Sequence, residues 1–159
     1  MPTLGIDIGG VIIDVWGDGN MALLNSDDYL STPEVMGALQ AIQKLRQLFG
    51  GRLYYISAGD EENHRRFTNW LEAHDFFGMT GPKLQDVYYC AQPGEKQQIC
   101  EQLGITSFID DTLDVLNCLT TVTNKYLLSP SKKYKTANLP GNTSAVQSWA
   151  ELLLVIESQ

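Results

Sequence analysis

The stretch LGIDIGGVIID, Leu4 to Asp14, decides the reading of the chain. An apolar run, Leu4 to Ile8, is continuous enough to be a strand buried on both faces, the kind found at the centre of a parallel sheet. It carries one carboxylate, Asp7, near its end, and the glycines Gly9 and Gly10 follow at once. Gly9-Gly10 lacks the third glycine and the spacing of a dinucleotide fingerprint. Asp7 is then either a turn residue or a group placed for chemistry, and the rest of the chain has to say which.

Outward from that strand, apolar β-rich runs alternate with helical patterns, which predicts a three-layer α/β domain with a central, mostly parallel sheet. Pro33, preceded by Ser31-Thr32 and followed by Val35, Leu39, Ile42 and Phe49 at helical spacing, predicts a capped helix that Gly50-Gly51 ends. RLYYIS (Arg52 to Ser57) is a second strand, and a helix from about Asp60 sets Phe67, Trp70, Leu71 and His74 on one face. DVYYC (Asp86 to Cys90) is a third strand, followed by a helix from Gly94 to Leu103 closed at Gly104. SFIDD (Ser107 to Asp111) and TVTNKYLL (Thr121 to Leu128) read as the fourth and fifth strands, and a last helix carries Val146, Trp149, Leu153 and Ile156. Val15 to Thr32 has no clear period and is a flap over the site or an ordinary surface excursion.

With 159 residues the chain fits one domain, 1–159, large enough to bury a core. Its 11 Lys and Arg against 19 Asp and Glu argue against broad electrostatic binding to nucleic acid or anionic membrane. Cys90, Cys100 and Cys118 form no CxxC pair and are odd in number, as expected of buried, reduced thiols in a cytoplasmic protein. Neither a basic leader before an apolar stretch nor an 18-residue apolar run is present, so no membrane association is expected.

Ligands of open parallel sheets bind at the carboxyl ends of the strands. At those ends stand Asp7, Ser57 and the pair Asp110-Asp111, with Lys96 at the start of the helix before the fourth strand. Adjacent acids at a buried edge are unfavourable without a cation. Carboxylates, a hydroxyl and an amine converging there suit magnesium, which prefers hard oxygen ligands, and a phosphate.

These motifs, in this order, resemble the haloacid dehalogenase (HAD) superfamily, mostly aspartate-nucleophile phosphohydrolases, over Leu4 to about Leu128. GIDIGGVI matches its first motif at Asp7, LYYIS the second at Ser57, and FIDDTLDVL the fourth at Asp110 and Asp111. The third-motif lysine is Lys96 in GEKQQICEQLGI, with Lys83 as the alternative. The resemblance implies that Asp7 is a nucleophile forming an aspartyl-phosphate, that Ser57, Ala58, Gly9, Gly10 and Lys96 bind the phosphoryl group, and that Asp7, the Gly9 carbonyl, and Asp111 with Asp110 hold Mg²⁺. It implies a capless enzyme acting on a phosphate ester, small or extended. One departure stands out: Gly9 occupies the place of the family's second acid, which protonates the leaving group and then activates water. General acid–base help is typically worth about 10²–10⁴-fold, so a catalytically weak or inactive binding or regulatory domain is the alternative. Asp14 and Asp18 lie near enough in sequence to be replacement acids.

Other polar features have plainer readings. His64 and His74 are too far apart for a metal pair, and His64 to Arg66 form a solvated helix face or a phosphate contact. Lys125, Lys132, Lys133 and Lys135 hold four of the eleven basic residues and make a charged loop or a footprint for a polyanion. Trp16 and Trp149 are core or flap anchors.

Overall fold

The computed structural model describes residues 1–81 and 84–159; Lys83, the alternative third-motif lysine, lies outside the described residues. Six strands, β1 (Leu4–Ile6), β2 (Leu53–Ala58), β3 (Val87–Cys90), β4 (Ser107–Asp110), β5 (Asn124–Leu128) and β6 (Thr143–Val146), form one sheet in the order β3-β2-β1-β4-β5-β6. Every pairing is parallel. The chain starts at the centre, winds outward to β3, then returns across β1 to β4 and winds outward the other way. The crevice at that reversal is where an open parallel sheet receives its ligand.

Helices α1 (Asn20–Leu24), α2 (Ala38–Leu48), α3 (Glu61–Ala73), α4 (Phe76–Thr80), α5 (Lys96–Leu103), α6 (Leu113–Cys118) and α7 (Trp149–Glu157) complete the fold. Successive strand residues point to opposite faces. Leu4, Ile6, Tyr55, Ile109 and Tyr126 therefore pack with α2, α3, α4 and α7 on one side. Ile56, Phe108 and Leu127 pack with α5 and α6 on the other. Gly5 faces the second side, where a Cβ would stand 2.5 Å from the Phe108 ring, so β1 carries no side chain there and the ring fills the space. No separate cap domain is evident among the described residues. No helix among them is long and apolar enough to cross a membrane.

Three expectations need correction. The helix expected from Pro33 begins at Ala38, because residues 33–35 are drawn into extended pairing with the first loop: Asp14 donates its N–H to Pro33 (2.9 Å) and Val35 to Ile12 (2.7 Å). Gly37, at φ 81°, turns the chain into α2, and Glu34 Oε2 accepts from the Leu39 N–H at 3.0 Å. Val146 belongs to a sixth strand opposite Leu128, and the last helix starts after Ser148, whose hydroxyl accepts from the Glu151 N–H. The short helices α4 and α6 carry too few turns to show a period. Cys118 is exposed, while Cys90 and Cys100 are buried, and all three are free thiols.

Segment 15–32 contains α1 and one turn of 3₁₀ helix, Tyr29–Ser31. It is tied down at several points. The Trp70 indole donates to the Thr32 carbonyl (2.7 Å), Arg66 to the Leu24 carbonyl (2.6 Å), and Trp149 to the Val11 carbonyl just upstream (2.9 Å). Arg66 is thus a structural clasp, further held by Glu62 at 2.9 Å, and not a phosphate contact.

Candidate active site

Asp7 follows β1 directly, and its N–H is held by the Ile109 carbonyl of the adjacent strand at 3.0 Å. Asp110 is the last residue of β4 and Asp111 the next, so the reversal of strand order brings three carboxylates to one place. One oxygen from each lies within 4.8 Å of the others, a spacing that one metal ion could span. Lys96 opens α5 on a turn set by Pro93 and by Gln92, whose N–H is accepted by Glu95. Its ammonium donates to Asp7 Oδ1 at 3.1 Å and to Asp110 Oδ2 at 2.8 Å, with all three residues buried.

Burial, and then repulsion from Asp110, push the Asp7 carboxyl well above its usual range against the pull of Lys96. Burial likewise raises Asp110 to about 6, with Lys96 opposing and Asp111 adding to the shift. Burial disfavours the charge of Lys96, but Asp7 and Asp110 outweigh it and hold the ammonium above its ordinary range. Three acids, two of them buried, share one lysine, a condition that favours a bound dication.

The cleft over these groups has a volume of about 320 Å³. Ser57 and Ala58 line it at the end of β2, Gly9 near the start of the loop after β1, and Asn25 and Asn63 also face it. Ser57 is buried beneath it. Gly10 does not face the cleft: its N–H is engaged by the Ile13 carbonyl at 2.9 Å, and it lines a neighbouring pocket. That amide is unavailable to a phosphate. At Gly9, a Cβ would stand 2.9 Å from Phe67 Cζ, so an aromatic ring from α3 fills the place where a second acid would begin. Asp14 Oδ1 accepts the N–H groups of Trp16 (3.1 Å) and Gly17 (2.9 Å), shaping the loop, and Asp18 is exposed. Neither acid lines the cleft.

The contact that sequence reasoning missed is that of Trp16, whose indole N–H donates to Asp111 Oδ2 at 2.8 Å across 95 positions of sequence. The only signal in the chain is a lone tryptophan in a glycine-rich segment. His74 is structural: its ring stacks on Trp70 at 3.9 Å and its Nε2 meets the Leu30 carbonyl. His64 stacks on Tyr89 at 4.3 Å. The four lysines do not make one patch, because Lys125 is buried at the amino end of β5 and the other three follow its carboxyl end.

No family model matches the sequence. A protein of Oceanobacillus iheyensis, provisionally named a nucleotidase, is 29% identical over 101 residues. The match takes in 63% of this chain and spans 50% of that protein's length. Among solved structures, a haloacid dehalogenase-like family hydrolase from Xanthomonas campestris superposes with a TM-score of 0.66 at 10% identity, covering 99% of this chain and 95% of the other. A HAD family hydrolase from Deinococcus radiodurans, determined with bound phosphate and sodium, gives 0.64 at 15% identity over 99% and 96%. With the sheet order, the strand-end acids and these neighbours in hand, the chain has the haloacid dehalogenase-like hydrolase fold.

Proposed function

We propose that this protein is a magnesium-dependent, capless phosphohydrolase of one domain, 1–159, that works through an aspartyl-phosphate on Asp7. The observation that carries the reading is the buried Lys96 ammonium, bonded at once to Asp7 and Asp110 beside Asp111 and under a cleft lined by Ser57. A structural ion pair needs one carboxylate; three carboxylates around one lysine at a ligand-binding crevice suit a phosphoryl group and a cation.

Asp7, Asp111, Asp110 and the Gly9 carbonyl would hold the Mg²⁺, which supplies positive charge to neutralise the phosphate and the carboxylates. Lys96 favours the ionised form of Asp7 against burial and aims the carboxylate. An Asp7 oxygen attacks phosphorus, the bond from phosphorus to the ester oxygen breaks with its electron pair on that oxygen, and Lys96 balances charge developing on the phosphoryl oxygens. Ser57, with Ala58 beside it, binds a phosphoryl oxygen. Water then attacks the acyl-phosphate and frees Asp7. The Phe67 ring against Gly9 leaves this second step without a side-chain base at position 9.

The same observation favours a second reading, a binding or regulatory domain that holds the cation and turns over poorly. Hydrolysis of 4-nitrophenyl phosphate by purified protein separates the two. We expect turnover with Mg²⁺ and its loss in chelator, restored by added metal. Absence of turnover at every metal concentration, with Mg²⁺ binding seen by calorimetry, selects the binding domain.

A further inference from the structure

The three acids of the cleft are not held alike. Asp7 and Asp110 share the ammonium of Lys96, which offsets part of their charge. Asp111 stands outside that pair and receives neutral donors: the Trp16 indole N–H on Oδ2 at 2.8 Å and the Thr112 hydroxyl on Oδ1 at 3.3 Å. A lysine on Asp111 would fix the carboxylate by cancelling its charge. An indole, which only donates and carries no charge, fixes it and leaves the charge for a cation.

The place of Trp16 is itself built. Its side chain is 55% exposed, so burial alone does not hold it there, whereas Trp70 and Trp149 are buried and donate to main-chain carbonyls. The loop that carries Trp16 is pinned by Asp14, whose Oδ1 accepts the N–H groups of Trp16 and Gly17 at 3.1 and 2.9 Å. Where the indole meets Asp111 the chain has Gly10, at φ 81°, and a Cβ there would run into Asp111 Oδ2 and stand 2.7 Å from Trp16 Nε1. The bare backbone leaves open the space in which the two side chains meet. A donor behind a metal-binding carboxylate sets its orientation before the ion arrives, and such outer partners are typically worth about 10–100-fold in metal affinity or activity.

We infer that Trp16 is a positioning residue for the cation: its indole, set by Asp14, holds the Asp111 carboxylate in the orientation that receives Mg²⁺. This rests on the cation-binding part of the function proposed above. Trp16 acts through Asp111, so its signature is the affinity for the ion. The segment after β1, which shows no period in the sequence, thereby carries part of the metal site.

Calorimetric titration of the purified protein with Mg²⁺ tests this. Trp16→Phe keeps an aromatic ring and removes the N–H; it should weaken Mg²⁺ binding by about tenfold or more and leave the melting temperature in chelator as in the wild type. Asp14→Ala, which frees the loop and alters neither partner of the bond, should weaken binding as well, and Asp14→Asn, which keeps an acceptor for the loop amides, should recover most of that loss. Unchanged binding in Trp16→Phe overturns the proposal, and so does tighter binding, which would mean that the indole competes with the ion for Oδ2. A weakening accompanied by a lowered melting temperature in chelator overturns it too, since the ring would then be supporting the fold. Equal losses in the two Asp14 variants would show Asp14 acting through its charge and contradict the link from loop to acid. If the wild type binds no Mg²⁺, this proposal and the cation reading fail together. If it binds Mg²⁺ without hydrolysing 4-nitrophenyl phosphate, the phosphatase reading alone fails, and the affinity of Trp16→Phe decides the role of Trp16 as before.

Discussion

Asp7→Asn should abolish Mg²⁺-dependent hydrolysis of an aryl phosphate, lowering kcat by at least about 10⁴-fold, because an amide oxygen is a poor nucleophile and nothing else in the cleft takes its place. The fold should survive. Asp7 is one of three acids served by one lysine, and burial already opposes its charge. Removing that charge relieves repulsion in the metal-free protein, so its melting temperature in chelator should rise or hold. Weaker Mg²⁺ binding should accompany the loss. A variant that is inactive because it is unfolded would show the opposite change in melting temperature, which separates a chemical role from a structural one.

Lys96→Met should be the most destabilising change in the site. The methionine keeps the length of the stem but leaves Asp7 and Asp110 buried without their common partner, and breaking a buried pair in this way typically costs about 3–5 kcal/mol. Activity should fall as well, by about 10²–10³-fold, through loss of the charge on the phosphoryl group. The destabilisation should depend on pH. Burial raises both carboxyls in the folded protein, and removing Lys96 takes away the interaction that lowers them. A carboxyl whose folded pKa is raised contributes stability below its unfolded pKa of 3.8, and that stability is lost as pH rises through the folded value, about 6 for Asp110 in the wild type. Denaturant titrations in chelator should therefore show the gap between Lys96→Met and wild type widening from pH 5 to pH 8.

Much of this arrangement is written locally in the sequence. β1, β2, β4 and β5 announce themselves because each is a short apolar run bounded by polar residues, and the residues at their ends are the ones that a parallel sheet brings together. Lys96 stood out by its position at a helix start before an acidic strand end, although its depth of burial could not be read from a single side chain. The start of α2 is not legible in the sequence because its cause is distant: residues 33–35 pair with 12–14, and a backbone partner of that kind leaves no trace in periodicity. Val146 sits three positions before Trp149, so it fitted a helical stripe that in fact begins only after Ser148. The bond from Trp16 to Asp111 joins a glycine-rich loop to the end of β4, and neither segment signals the other. The close approach of the Phe67 ring from α3 to Gly9 is likewise a tertiary contact.

The central claim, a phosphoryl group carried on Asp7, is open to direct observation, because the bare position 9 should slow water attack and let the acyl-phosphate build up. Wild-type protein mixed with Mg²⁺ and 1-naphthyl phosphate, quenched in acid within the first turnovers and digested, should yield the peptide containing Asp7 heavier by one phosphoryl group, with the label missing from Asp7→Asn and from chelated samples. Steady turnover with no labelled peptide at any time, or a label on another residue, would contradict the account.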